Sequence, residues 1–287
     1  VPIVSTTSRR PGRQDGFALL AVLWAAVMLA IIVASLLSTG RTEALVAHGK
    51  SHVAALEAAA DAAINRTILT MLDMDAAAHP VTDGTDFAEV FAGRAIRVSV
   101  QDESGKIDLN VATGELLTRL LQVAGLQTDD AQAMADRIQD WREHTDLHRF
   151  NGAGEAAYRD AGTGYGPRRG PFPNVAELQL VLGMEPALFA RLALSLTVAS
   201  GTPWVDPTYA GRDVLLALPG GSEASVAATL AARAAAGRPG VVMGHAFTIT
   251  AQIVDGGVTM VRRAVIRLTG SRDVPVWVYS WERVTGA

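Results

Sequence analysis

The chain has 287 residues, a formal net charge of −4 and no cysteine, which excludes a disulfide framework, a thiolate zinc site and a cysteine nucleophile. That length supports one large domain or two modest ones with real cores, and the mildly acidic balance gives no global basic field to hold nucleic acid. With 49% hydrophobic residues but only 6% aromatics, the composition is alanine-rich and points to a largely helical protein.

In chain order, the first feature is Arg9, Arg10 and Arg13, then Gly16-Phe17, then an uncharged stretch from Phe17 to Leu37. As a helix this stretch spans roughly 31 Å at ~1.5 Å per residue, against a hydrocarbon core of ~30 Å. A secretory signal carries a shorter apolar region and a small-x-small cleavage site. Here the helical pattern runs on past Arg41: Val53, Leu56, Ala60, Ile64, Ile68 and Met71 recur at intervals of three and four, with Glu57, Asp61, Asn65 and Arg66 between them. The spacing predicts an amphipathic helix continuous with the apolar one. Three arginines before the apolar stretch against one after it place the N-terminus in the cytoplasm and the remainder outside.

The stretch DMDAAAHPVTDGTDF has turn residues without a period and reads as a loop. RAIRVSVQD then alternates Ile96, Val98 and Val100 with polar neighbours, the pattern of a half-buried strand. From Ser104 to about Val198 the pattern becomes helical with long loops. Toward the C-terminus FTITAQIV alternates again, Asp255-Gly256-Gly257 offers a hairpin turn into VTMVRRAVIRL, and VPVWVYSWERV supplies a last strand. Trp277, Tyr279 and Trp281 fall on one face of it and read as sheet core. Strands on both sides of the helical block indicate an insertion within one α+β domain.

Inside that block lies DRIQDWREHTDLHRFNGAGEAAYRDAGTGYGPRRGPF, rich in glycine and poor in aliphatic residues, with Asp140, Glu143, Asp146, Glu155 and Asp160 close together. A loop that buries little apolar surface needs another source of order, and calcium held by carboxylates and carbonyls would supply one; the alternative is a solvated acidic loop. His144 and His148 would share a face if helical, which raises transition-metal binding, but no HExxH pattern accompanies them. GxSxG, P-loop and strand-GxGxxG-helix patterns are absent, so the sequence does not read as an enzyme.

A short basic leader ending in Gly16, then Phe17 and an apolar helix running into an amphipathic one, resembles the N-terminus of type IV pilins and type II secretion pseudopilins. The resemblance implies cleavage between Gly16 and Phe17 by a membrane-embedded prepilin peptidase, methylation of Phe17, and retention of the helix. Most members carry Glu at the fifth mature position; here it is Ala21. An intramembrane carboxylate is costly without a partner, and a subunit that lacks it suits the end of a filament. SGKIDLNVATGELLTRLLQVAGL and GPFPNVAELQLVLGMEPALFARLALSLTV are similar to the helix-hairpin-helix elements of one subclass, the K-type minor pseudopilins (GspK family), with Asp108 in place of the commoner Asn and Asn174/Glu177 as a capping box; DVLLALPG reads as a third, degenerate element.

The resemblance implies a pilin-like α+β fold, a long N-terminal transmembrane and amphipathic helix packed on an antiparallel sheet with a large α-helical insertion. The segments would be a leader (1–16), a transmembrane part (17–37), a periplasmic helix (38–75), a first sheet part (76–103), an inserted helical domain (104–200), and a return segment with the last strands (201–287). It also implies calcium at Asp140, Glu143, Asp146 and Glu155, residence in the bacterial inner membrane, and assembly with I-type and J-type minor pseudopilins at the tip of the major pseudopilin filament. Two other readings are a type IV pilus minor pilin and a membrane-anchored DNA-binding protein of a competence system. Residues 101–200 hold 14 Asp and Glu against 9 Lys and Arg, a surface that repels phosphate, so no nucleic acid partner is expected.

Overall fold

A computed structural model describes residues 15–145, 147–236 and 240–284. The chain divides into two compact units, residues 1–55 and 56–287. Helix α1, Asp15–Met71, begins in the first and ends in the second. Within the first unit, Phe17–Ser35 is apolar and long enough to cross a membrane once, and its side chains are exposed all round, Phe17 and Trp24 among them. A helix apolar on every side has no soluble face to present to water, so lipid is the environment that suits it.

In the second unit the end of α1 behaves as an ordinary amphipathic helix. Leu56, Ala60, Ala63, Ile64 and Met71 are fully buried, and burying a Leu or Ile side chain is worth about 2 kcal/mol. The helix is fixed over a five-stranded antiparallel sheet by one cluster: Arg262 donates to Asp61 at 2.8 Å and pairs with Glu57 at 2.9 Å, while Trp281 Nε1 donates to Asp61 at 2.7 Å.

The sheet comprises β1 (Asp83–Phe91), β2 (Arg94–Asp102), β5 (Ala246–Asp255), β6 (Val258–Leu268) and β7 (Val276–Arg283), hydrogen-bonded in that order. Ile96, Val98 and Val100 of β2 and Phe247, Ile249, Ala251 and Ile253 of β5 are buried, as their alternation predicts. Gly256 and Gly257 both take positive φ, the backbone a two-residue type I′ turn demands.

Two sequence expectations change here. The N-terminal part of β1 falls where a loop was expected; DGTDFAEVF is mostly exposed and sits at the sheet edge, so it needs no apolar alternation and gives no periodic signal. Trp277 and Tyr279 are not sheet core but half-exposed, because β7 is the opposite edge. A bulge leaves Tyr279 unpaired and breaks the alternation: Trp281 lies opposite Ala264 on the α1 side, whereas Trp277 lies opposite Arg267 on the other face.

Between β2 and β5 the chain leaves the sheet and builds a helical layer. It contains β3 (Ile107–Asp108), α2 (Gly114–Val123), α3 (Thr128–Arg142), α4 (Glu155–Asp160), α5 (Pro186–Leu192), β4 (Leu196–Thr197), α6 (Arg212–Ala217) and α7 (Glu223–Ala236). β3 and β4 pair in parallel, joining the two ends of the family-like stretch. One apolar cluster holds the layer together, and it extends past residue 200 to Val205, Ala210, Val214, Leu215, Ala217 and Val226. The inserted core is thus larger than the 104–200 span read from the sequence. α6 falls on DVLLALPG, read from the sequence as a third, degenerate element, and its Val214, Leu215 and Ala217 join that core.

Candidate functional site

Thr113 caps α2 by accepting from the Leu116 N–H at 3.3 Å, and Leu116, Leu117, Leu120 and Leu121 are buried, the face their spacing predicts. Gly125, at positive φ, turns the chain into α3. In the second hairpin Asn174 accepts from Glu177 N–H at 3.0 Å, one half of the expected capping box. The other half is absent: the Glu177 carboxylate accepts instead from Trp141 Nε1 at 3.1 Å and pairs with Arg168.

Trp141, near the end of α3, organises the long loop. It is buried against Tyr158, stacks on Phe172 at 6.3 Å between centroids, and meets Tyr165 edge-on. Its carbonyl accepts from Arg169 N–H at 2.8 Å. Burial pushes the Tyr158 phenol up to about 12, and its oxygen accepts from Leu182 N–H at 3.0 Å. Asn110 makes a two-bond bridge to Phe172, donating to its carbonyl at 3.0 Å and accepting from its N–H at 2.7 Å. Truncation by Asn110→Ala leaves both backbone groups without that partner and is expected to cost about 2 kcal/mol, readable as a fall in thermal unfolding midpoint. Removal of Arg142 would strike the same region, since its guanidinium donates to the Leu109 and Ala112 carbonyls and burial lowers its pKa.

The structure places the predicted carboxylates as follows. Asp140 is buried at the end of α3 and accepts from the Arg149 N–H at 3.1 Å and the Ala153 N–H at 3.2 Å. Arg149 Nη1 donates to Asp140 at 2.9 Å and to Glu143 at 3.0 Å, and Nη2 donates to Glu143 at 2.5 Å. Hydrogen bonding from Arg149 holds the Glu143 carboxyl below its ordinary range. Glu155 opens α4, is exposed, and pairs with Arg159 at 3.4 Å and Arg169 at 3.2 Å. Asp146 lies outside the described residues. Among the described residues no three His, Asp or Glu side chains converge as a metal cluster. The donor chemistry is oxygen throughout, but arginines take up Asp140, Glu143 and Glu155, so these described residues do not fit a calcium cage. His144 and His148 lie in non-helical chain, so the shared-face argument for a transition metal does not apply. Sequence reasoning gave no role to Arg149 or Asn110; Asn110 closes the KIDLN stretch read as the entry to the first hairpin, while Arg149 carries no periodic or motif signal.

The second candidate feature is Gly16-Phe17, which falls in the first turns of α1; residues 1–14 of the expected leader lie outside the described residues.

Residues 98–201 match the family model described as type II secretion system protein K. This segment is similar to the type II secretion system protein K family. The match takes in most of β2, both hairpins, the aromatic-lined loop and the β3–β4 closure. A type II secretion system protein K of Klebsiella pneumoniae is 31% identical over 108 residues, 38% of this chain and 32% of that protein. The alignment therefore spans about a third of the relative's length. In fold, the chain is similar to a chain of the GspK–GspI–GspJ complex from the enterotoxigenic Escherichia coli type 2 secretion system, with a TM-score of 0.57 at 13% identity over 86% of this chain and all of the other. The protein K segment is thus carried on a sheet and helix arranged as in that structure.

Proposed function

We propose that this protein is a K-type minor pseudopilin that caps or initiates the type II secretion pseudopilus together with I-type and J-type minor pseudopilins. The observation that carries the reading is the protein K segment inserted between β2 and β5 of a sheet that also bears a long N-terminal helix. An insertion of that bulk suits the free end of a filament better than its lattice. Ala21, where most pseudopilins place Glu, leaves the helix without an intramembrane carboxylate to offer a subunit above it. Arg9, Arg10 and Arg13 support a cytoplasmic N-terminus with the sheet and insertion in the periplasm. The activity is assembly and mechanical display, without catalysis. The acidic residues Asp129 and Asp130 beside the Gly125 turn weigh against a phosphate-binding role for the hairpin.

The test is intact mass and N-terminal sequencing of the protein expressed with and without a prepilin peptidase. Loss of residues 1–16 and an N-methylated Phe17 is the expected result with peptidase. A chain left whole, or cut beyond Leu37, would remove the pseudopilin reading and leave a plain anchor or signal.

A further inference from the structure

We propose that the Arg149 guanidinium, rather than a bound divalent cation, is the positive charge that ties residues 149–153 to Asp140 and Glu143 at the end of α3, so that this stretch orders without calcium. Three features of the loop carry this. First, one guanidinium bridges both carboxylates, at 2.9 Å to Asp140 and 3.0 and 2.5 Å to Glu143. A planar fork that reaches two acids supplies both charge and direction, which a flexible ammonium would not. Second, the oxygens of Asp140 face hydrogen-bond donors: the Arg149 N–H lies 3.2 and 3.1 Å from the two of them, and the Ala153 N–H lies 3.2 Å from Oδ2. Lone pairs committed to N–H groups are turned away from an ion. Third, the backbone presses on the carboxylate, since a Cβ at Gly152 would stand 1.7 Å from Asp140 Oδ2. Calcium binds six to eight oxygens at ~2.3–2.6 Å, and among the described residues no such shell surrounds Asp140. Glu155, the remaining described acid of the expected set, is held by Arg159 and Arg169.

The arrangement explains how a loop with so little apolar content keeps one shape. Arg149 contributes its main-chain N–H and its side chain to the same acid, so the turn that brings its backbone to Asp140 also brings the charge. Outside this clamp Leu147 and Phe150 remain exposed at the loop tip, so their burial cannot be what orders it.

The experiment uses the full chain in detergent micelles. Calcium chloride is titrated in by calorimetry, and hydrogen exchange of the amides of Arg149 and Ala153 is followed in EDTA and in millimolar calcium. Wild-type protein is expected to give no binding heat and the same protection in both conditions. In Arg149→Ala, the Ala153 amide should exchange at least about tenfold faster in EDTA, since the local opening loses its closing charge, and millimolar calcium should leave that faster rate unchanged. Micromolar calcium binding by the wild type, with protection that depends on it, would overturn the proposal. So would an Arg149→Ala loop that exchanges like the wild type in EDTA. The wild-type titration decides the matter even if the variant does not fold. The inference rests on the loop alone, and its failure would leave the prepilin-peptidase result unaffected.

Discussion

Replacing Trp141 by Ala is expected to lower the unfolding free energy by about 4 kcal/mol, within the range for truncating a buried aromatic. The ring is 3% exposed and is the only group that meets Tyr158, Tyr165 and Phe172 together in the ring contacts among the described residues. Its loss removes apolar burial, opens a cavity between α3 and the loop, and leaves Glu177 without the indole donor. Because α4 and the 165–172 segment both rest on this ring, the damage should be regional. Limited proteolysis should cut the loop in Trp141→Ala under conditions where the wild type resists. Trp141→Phe keeps most of the packing and loses the hydrogen bond, so a cost of about 1–2 kcal/mol is expected. Thermal denaturation with near-ultraviolet circular dichroism separates the two; equal stability of Trp141→Ala and wild type would show that the loop is held by something else.

Asp102→Ala is expected to cost about 3 kcal/mol and to loosen both crossings between sheet and insertion at once. Asp102 ends β2, and its fully buried carboxylate accepts from Ser104 N–H at 2.8 Å and Ser104 Oγ at 2.6 Å, capping the short turn that leaves the sheet. The same carboxylate lies 2.8 Å from Nδ1 of His245, the residue that immediately precedes β5. One side chain therefore ties the exit strand to the return strand. Deleting it leaves the part-buried Ser104 N–H and hydroxyl without their acceptor, together costing about 1–3 kcal/mol, and removes the tie to the ring. Hydrogen exchange should accelerate together at residues 103–105 and 244–246, ahead of the helical core. Asp102→Asn keeps an acceptor for Ser104 and should lose less, about 1 kcal/mol. Exchange rising at only one crossing would refute the idea of a shared tie. Gly105 marks the tightness of the same junction, since a Cβ there would lie 2.4 Å from the Tyr209 carbonyl.

These two sites also separate what was readable in the chain from what was not. The apolar stretch from Phe17, the amphipathic turn of positions from Leu56 to Met71, the alternation of β2 and β5, and the Gly256-Gly257 turn follow from local periodicity and backbone sterics, so the sequence by itself determined the long apolar helix, the central strands of the sheet and the place of the helical block between them. The buried leucines of α2 were legible for the same reason. Folding alone decided the rest. β1 and β7 are edges, and an edge strand has no obligation to alternate, so the first was hidden and the second misled about Trp277 and Tyr279. α6 was read as a degenerate hairpin element, but the core it joins is formed by residues far away in sequence, which no local window reports. Asp140, Glu143 and Glu155 looked alike in sequence, but which arginine meets each depends on the fold. Asp140 is met by Arg149 nine positions later, Glu177 by Trp141, and Asp102 by His245 across the whole insertion. Such pairings are fixed by chain closure in three dimensions, where charge and hydrogen-bond geometry select among many candidates equally available to the unfolded chain.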